Sequence, residues 1–293
     1  MDLQELRQRI DGIDDELVKL FGQRMDVSAE IAQHKRQNNI PVFDPERERQ
    51  KLYEVSGKVS EGREAYVTAL YSMLFDLSRA DQERILSPAS ELTDMIQNAI
   101  RGTEWMLPER TVVACQGTEG AYSQLAAETL FPLPSILYFN TFDGVFSAVD
   151  SGLCAYGVLP LENSTAGSIN QVYDLMMRYP FSIVRSVRLK IDHTRFICVS
   201  KSLAIYPGAD KTSLMMTIPH KPGSLYRILS RFYIHGVNLV KLESRPIPNR
   251  DFEFMFYFDL VTPVYSPSLM QALRELNELC DEFRYLGSYS EVV

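Results

Sequence analysis

Arg24 interrupts an apolar series. Leu3, Leu6, Ile10, Ile13, Leu17, Leu20, Val27 and Ile31 step by three and four in turn, the repeat of about 3.5 residues that makes a coiled-coil seam. The seam position after Leu20 is Arg24, a cation where an apolar side chain belongs. Lys35 follows eleven residues later, about three turns on, and faces nearly the same way, whereas Arg7 is turned roughly 100° aside. Arg47 and Glu48 sit in a second helical stretch, and Ser78 and Gln82 are an i, i+4 pair sharing a face of a third. Brought together, these side chains could line a cavity with several cations and few acids. It would suit a small dianion, its carboxylates held by guanidinium forks. A second reading stays open on spacing alone: Arg24 fixes the register of a helix pair and the other charges are solvated surface.

The elements that must position them are helices. Leu3–Gln37 reads as one long helix, ended by Asn38-Asn39-Ile40-Pro41. Asp44 is a suitable N-cap for the next helix, with Pro45 at its first position, where the missing N–H costs nothing. That helix ends near Ser56-Gly57. A third is expected over 62–85, with Tyr66, Leu70, Met73, Leu74 and Leu77 as its stripe. One long helix cannot bury its seam against two shorter ones, whereas a dimer pairing two long helices would.

The run LRQRIDGIDDELVKLFGQR, then AQHK, then DPERER, resembles the helical chorismate mutase of the AroQ class. The resemblance implies an intertwined all-α dimer that rearranges chorismate to prephenate. It implies that Arg24 and Arg47 bind substrate carboxylates and that Lys35 and Gln82 donate to the ether oxygen of the breaking bond. Glu48 would accept from the substrate hydroxyl, Asp44 and Ser78 would be further pocket positions, and Arg7 would come from the other subunit. A pericyclic reaction needs a compact conformer and donors where negative charge grows, with no nucleophile or proton shuttle.

In the middle, the linker helix is expected over 91–100. A strand follows at 111–115, then the loop Gln116-Gly117-Thr118-Glu119-Gly120-Ala121-Tyr122-Ser123 before a helix. Such glycines either cradle an anion on backbone N–H groups or simply make a tight turn. A buried strand from Ala155 leads to the polar loop Glu162-Asn163-Ser164, continuing through Thr165, Ala166 and Gly167; 181–191 reads as a strand, and His193-Thr194-Arg195-Phe196 leads into another over 196–200. Ligands sit at the carboxyl ends of such strands. These pieces resemble prephenate dehydratase, whose fold is periplasmic-binding-protein-like with two lobes. The resemblance makes Thr194 the catalytic threonine, acting in general-acid loss of water and CO2 that gives phenylpyruvate, and Arg195 the carboxylate ligand. Phe196, Thr118, Ser123, Glu162, Asn163 and Ser164 match substrate-binding positions. The second lobe should follow His193; here Thr194 does. A cleft with one wall neither excludes water nor closes over substrate, so dehydratase activity is expected to be lost or severely reduced.

From residue 212 the order strand, helix, strand, strand, helix, strand predicts a ferredoxin-like α+β sandwich, with strands over 213–218, 237–244 and 252–260, a helix over 225–235 with Gly236 as its C′ residue, and a second helix over 266–283. Pro222-Gly223-Ser224-Leu225 and Glu243-Ser244-Arg245-Pro246 resemble the phenylalanine-responsive motifs of an ACT domain, which more often has alanine at Ser224's position. Gly223, Ser224, Leu225, Asn238, Glu243, Ser244, Arg245 and Pro246 would then form the regulatory site. For Asn238 and Glu243, plain turn and surface roles remain an equal reading.

The chain is thus read as multidomain: chorismate mutase at 1–88, linker at 89–108, partial dehydratase lobe at 109–203 and ACT domain at 212–290. A net charge of −8 without a long basic run argues against nucleic acid and anionic membrane. The four cysteines show no C-x-x-C pair and read as free thiols, with no metal or other cofactor implied. MDLQELRQRI is no signal peptide, and no apolar run is of membrane-spanning length; a cytoplasmic homodimer or higher homo-oligomer is expected. The partners implied are chorismate and prephenate as substrates and phenylalanine as effector. The rival reading is a non-catalytic phenylalanine sensor or scaffold.

Overall fold

A computed structural model describes residues 2–86, 90–165, 167–191, 193–248, 250 and 253–293. The expected boundary at 88–89, Ala166 of the polar loop and the expected strand start at Phe252 lie outside the described residues. The chain divides into two compact units, residues 1–90 and 91–293.

The first unit is helical. α1 (Leu3–Gln37) starts with a capping box, Asp2 accepting from the first turn and Glu5 reaching back to the Asp2 N–H, so two orphan donors are satisfied reciprocally. α2 (Pro45–Ser56) is capped by Asp44, which accepts from the Arg47 N–H at 3.0 Å. α3 (Glu64–Leu86) packs against both. Within this unit α1 buries only Ser28 and Ala32. Its seam stays in solvent: Leu3 is 61% exposed and Ile13 60%.

In the second unit, α4 (Glu91–Gly102) is followed by β1 (Arg110–Gln116), α5 (Tyr122–Leu130), β2 (Leu133–Phe139), α6 (Phe142–Asp150), β3 (Tyr156–Asn163), β4 (Gly167–Ser168), α7 (Asn170–Arg178), β5 (Ser182–Leu189) and β6 (Thr194–Ser200). They form the mixed sheet β11-β5-β6-β3-β1-β2, with β4 on β3 and the edge strand β11 (Glu291–Val292) supplied from the end of the chain. β1 runs parallel to β2 and β3, whereas β6 is antiparallel to β3 and β5. β5 and β6 therefore form a hairpin, turned through His193 at φ 55. The lobe's outward and return strands are joined directly, as the His193–Thr194 junction implied.

β7 (Lys211–Thr217), α8 (Ser224–Ile234), β8 (Asn238–Pro246), β9 (Phe254–Val261), α9 (Pro267–Leu279) and β10 (Glu282–Tyr289) make the second sheet, ordered β10-β7-β9-β8. That is the ferredoxin-like βαββαβ arrangement. The expected linker helix is not a spacer: Ile96 of α4 is fully buried in the helical-face core of this module, beside Leu269 and Leu273. The other sheet face joins the lobe. Met215, Tyr257 and Leu286 share a core with α6 and α7, and the Tyr173 and Tyr257 rings meet edge-on at 4.8 Å. Arg284 donates to the carbonyls of Met176, Met177 and Tyr179 at 2.7–2.9 Å, satisfying the last acceptors of α7. Cys115, Cys154 and Cys198 are buried and Cys280 half-buried, all unpaired; burial pushes the thiols of Cys115 and Cys280 up to about 12.

β10 can pass onto β5 because Gly287 has φ +134 and no side chain. A Cβ there would sit 2.3 Å from the Ile183 carbonyl oxygen. Gly287→Ala is expected to destabilise the second unit by more than about 2 kcal/mol in urea unfolding. A change within about 0.5 kcal/mol would show that this approach is not tight.

Candidate functional site

In the first unit a cleft of about 580 Å³ is lined by Arg24, Lys35, Asp44, Arg47, Glu48, Ser78 and Gln82. Seven of the residues singled out in this part of the sequence thus meet in one place; Arg7 is exposed on α1 and lines no part of it. Arg24 donates to Ser78 Oγ and, at 3.2 Å, to the Leu74 carbonyl, and it lies 5.9 Å from the Phe75 ring centre. Burial draws its pKa below the ordinary arginine value, yet the guanidinium keeps its charge. Lys35 Nζ donates to the Val42 carbonyl, which fixes it beside the entry to α2. Gln82 is buried and donates to Ser28 Oγ at 2.8 Å, while its Oε1 has no partner among the described residues. Turning the amide over would let the Ser28 hydroxyl donate to Oε1, releasing the N–H pair for a ligand oxygen. Asp44 already has a task as the α2 cap.

The cleft's arrangement can compress and hold a small dianion. Five cations, Arg24, Lys35, Arg47, Lys51 and Arg79, line it together with the neutral donors Ser78 and Gln82. Sequence reasoning missed Lys51 and Arg79, both on its walls. Arg79 adjoins Ser78 and falls one turn beyond Phe75, so its approach to the cleft could have been read from helical spacing alone.

The lobe differs from its sequence expectation. Glu162 and Asn163 belong to β3, and Thr194 and Arg195 to β6, in the cross-strand pairs Asn163↔Thr194 and Glu162↔Arg195. Asn163 Nδ2 donates to Thr194 Oγ1 at 2.8 Å, and Thr194 is buried. Thr194 and Asn163 are thus hydrogen-bonded neighbours in one sheet. In the turn, Thr118 accepts the Ala121 N–H on its carbonyl, while the Ser123 hydroxyl donates to the Gln116 carbonyl. Ser164 donates its N–H to the His193 carbonyl. Phe196, expected at substrate, packs in the core with Val113 and Val158, because β6 is a central strand with both faces covered.

Arg195 departs furthest. Only 4% exposed, it is paired with Asp259, with Glu162 at 3.3 Å and with Glu291 at 3.1 Å, and it donates to the Tyr289 hydroxyl at 2.6 Å. Its guanidinium is engaged by the protein's own carboxylates, not presented to a substrate's. The cause is the ferredoxin-like module, which brings Asp259 and Tyr289 against this face of β6. Glu162 also pairs with Lys241.

The regulatory set is divided. Gly223, at φ 83, caps α8, and Ser224 and Leu225 line a cavity of about 120 Å³ with Phe254 and Phe256. Asn238, Ser244 and Pro246 are exposed along β8. Strand alternation turns Lys241, Glu243 and Arg245 to the lobe instead. Glu243 accepts from Ser168 at 2.6 Å, and Arg245 forks onto Asp174 with both bonds at 3.1 Å. The motif strand thus joins module to lobe.

Burial alone would raise the Glu162 and Glu291 carboxyls. Lys241 outweighs it for Glu162 and Lys211 for Glu291, each with help from Arg195, and both groups lie below the ordinary carboxylate range. A lowered folded value stabilises above the unfolded value near 4.3, and that contribution is lost as pH falls through the folded one. Lys241→Met is expected to widen the stability gap from wild type near neutrality and to close it on acidification, read by calorimetric unfolding between about pH 7 and pH 3. A gap independent of pH would contradict this.

Residues 6–83 match the chorismate mutase type II family and residues 113–205 the prephenate dehydratase family. The bifunctional chorismate mutase/prephenate dehydratase of Escherichia coli K12 is 24% identical, the match covering 97% of this chain and 95% of that protein. The bifunctional enzyme of Aquifex aeolicus is 22% identical over 100% of this chain and 99% of its own. The first alignment spans 379 positions against the 293 residues present, so at least 86 positions of that relative lie opposite a gap. Among solved structures, prephenate dehydratase from Streptococcus mutans is 27% identical at a TM-score of 0.57, covering 62% of this chain and 100% of that one. A structure described as a novel type of quorum-quenching acylase is 30% identical at a TM-score of 0.56, covering 61% and 94%. The chain thus carries both family regions in order and resembles the bifunctional chorismate mutase/prephenate dehydratases along nearly its whole length.

Proposed function

We propose that this chain serves phenylalanine biosynthesis by rearranging chorismate to prephenate in the cleft of its first unit. The carrying observation is the collection of Arg24, Lys35, Arg47, Glu48, Ser78 and Gln82 around one cleft of about 580 Å³. Arg24 and Arg47 hold the two carboxylates, Lys35 and Gln82 donate to the ether oxygen, and Glu48 accepts from the hydroxyl. Donors fixed in advance where charge develops lower the barrier without reorganising. The exposed α1 seam supports a homodimer in which Arg7 completes the partner's cleft. The working compartment is the cytoplasm.

The second activity, loss of water and CO2 from prephenate, is absent or severely reduced. Its support is the β5–β6 hairpin, the gap in the alignment and the commitment of Arg195 to internal carboxylates. Supplied prephenate should persist at neutral pH in the presence of the chain; efficient formation of phenylpyruvate would overturn this. The ferredoxin-like module is an ACT domain that takes phenylalanine at Gly223–Leu225, completed by a second copy along β8. Calorimetric titration with phenylalanine should saturate, and an absence of heat would count against it.

Arg24→Ala is expected to lower kcat/KM for chorismate by about 100-fold or more, the cost of removing a preorganised donor, followed by chorismate disappearance. Rearrangement at the wild-type rate in this variant would refute the site. No turnover by the unmodified chain would favour the non-catalytic sensor.

A further inference from the structure

Two cations of the cleft, Lys51 and Arg79, take no part in holding the carboxylates or the ether oxygen, and Arg79 is the more deeply buried. Arg79 lies on α3, one residue past Ser78, and lines the cleft. Its fork is split between two acids: Nη1 donates to Glu48 Oε1 on α2, and Nη2 to Asp76 Oδ1 one turn back on its own helix. The guanidinium also sits 5.2 Å from the centre of the Phe43 ring, in the loop that enters α2. The side chain is only 13% exposed, with Glu48 at 24% and Asp76 at 15%.

That geometry exceeds what a solvated helix charge requires. Asp76 alone, at i−3, would satisfy a surface arginine. The bond to Glu48 instead crosses from α3 to α2 at the wall of the cleft, and Phe43 holds the guanidinium plane from a third direction. A planar fork with both ends and one face occupied has little freedom left. Through it Glu48 loses its own: Oε1 is fixed by the arginine, which sets the direction of the second oxygen. Asp76 is absent from the cleft wall, so of the two acids held by Arg79 only Glu48 can meet a ligand.

We propose that Arg79 is a positioning residue for the mutase reaction: it clamps Glu48 by Oε1 so that Oε2 is presented to the hydroxyl of the bound dianion. The inference rests on the mutase reading of the cleft. It makes the carboxylate that accepts the hydroxyl a preset part of the wall, so its rotamer is not chosen at the moment of binding. It also adds a fourth side chain from α3, beside Phe75, Ser78 and Gln82, to the machinery.

The test is a double-mutant cycle on the full chain with chorismate as the probe. Arg79→Met keeps the aliphatic stem and removes the fork. It should lower kcat/KM by roughly 10- to 100-fold, as expected for a misplaced group, with Arg79→Lys recovering only part. In a Glu48→Gln background the same Arg79→Met change should cost less than about twofold, because its target is already gone. An equal loss in both backgrounds would mean that Arg79 supports the helices or touches the substrate itself, and overturns the proposal. So would wild-type kinetics in Arg79→Met. If Arg79→Met fails to fold, by loss of helical circular dichroism, the Arg79→Lys comparison in the two Glu48 backgrounds decides by the same criterion. No turnover by the unmodified chain would instead sink the mutase reading, and the role of Arg79 with it.

Discussion

The pairing of Arg195 with Asp259 governs the second unit. Both side chains are nearly sealed, at 4% and 1% exposure, and both would be costly to bury alone. Neither is alone: Glu162, Glu291 and Tyr289 complete the arginine's surroundings, while Ser213 donates to Asp259. The participants come from β3, β6, β7, β9, β10 and β11, so the lobe and the ferredoxin-like module meet around one charge cluster. Removing a single partner would leave another charge buried without compensation. That constraint explains why the returning end of the chain pairs with β5, and why Gly287 must be small: the approach of β10 and β11 to the lobe delivers Tyr289 and Glu291 to the arginine.

The same constraint separates the two candidate sites. In the first unit Arg24 and Lys35 are held at the cleft wall by neutral acceptors, Ser78 Oγ and the Leu74 and Val42 carbonyls, so their charge remains for a ligand. In the second unit Arg195 is answered by carboxylates. A guanidinium neutralised by three acids offers little to a fourth. The two sequence motifs read alike as cations awaiting anions, and what parts them is the company supplied by tertiary structure.

The helical unit was legible because its signals are local: the seam repeat, the Asp44-Pro45 start and the Asn38 stop all act within a turn or two. β2 and α6 escaped notice because β2, with Pro134 near its start, is a half-exposed strand carrying little apolar alternation. α4 read as a spacer because its burial depends on α9, far along the chain. Arg195 was legible as a motif residue but not as an ion-pair partner, since Asp259 lies in an aromatic strand 64 residues away. Arg79 was passed over because it breaks no seam, and its partner Glu48 belongs to another helix. Strand alternation along β8 could have separated Glu243 and Arg245 from Ser244 and Asn238; a contiguous motif conceals that successive residues face opposite ways.

Arg195 ties lobe to module through its buried ion pairs. Native-state hydrogen exchange of Arg195→Met measures this tie most directly. Amides of β6 and of β9 are expected to lose protection together, by about 3 kcal/mol or more, the cost of leaving Asp259 buried without its partner. Unchanged protection in both strands would contradict it and return Arg195 to the role of a substrate ligand.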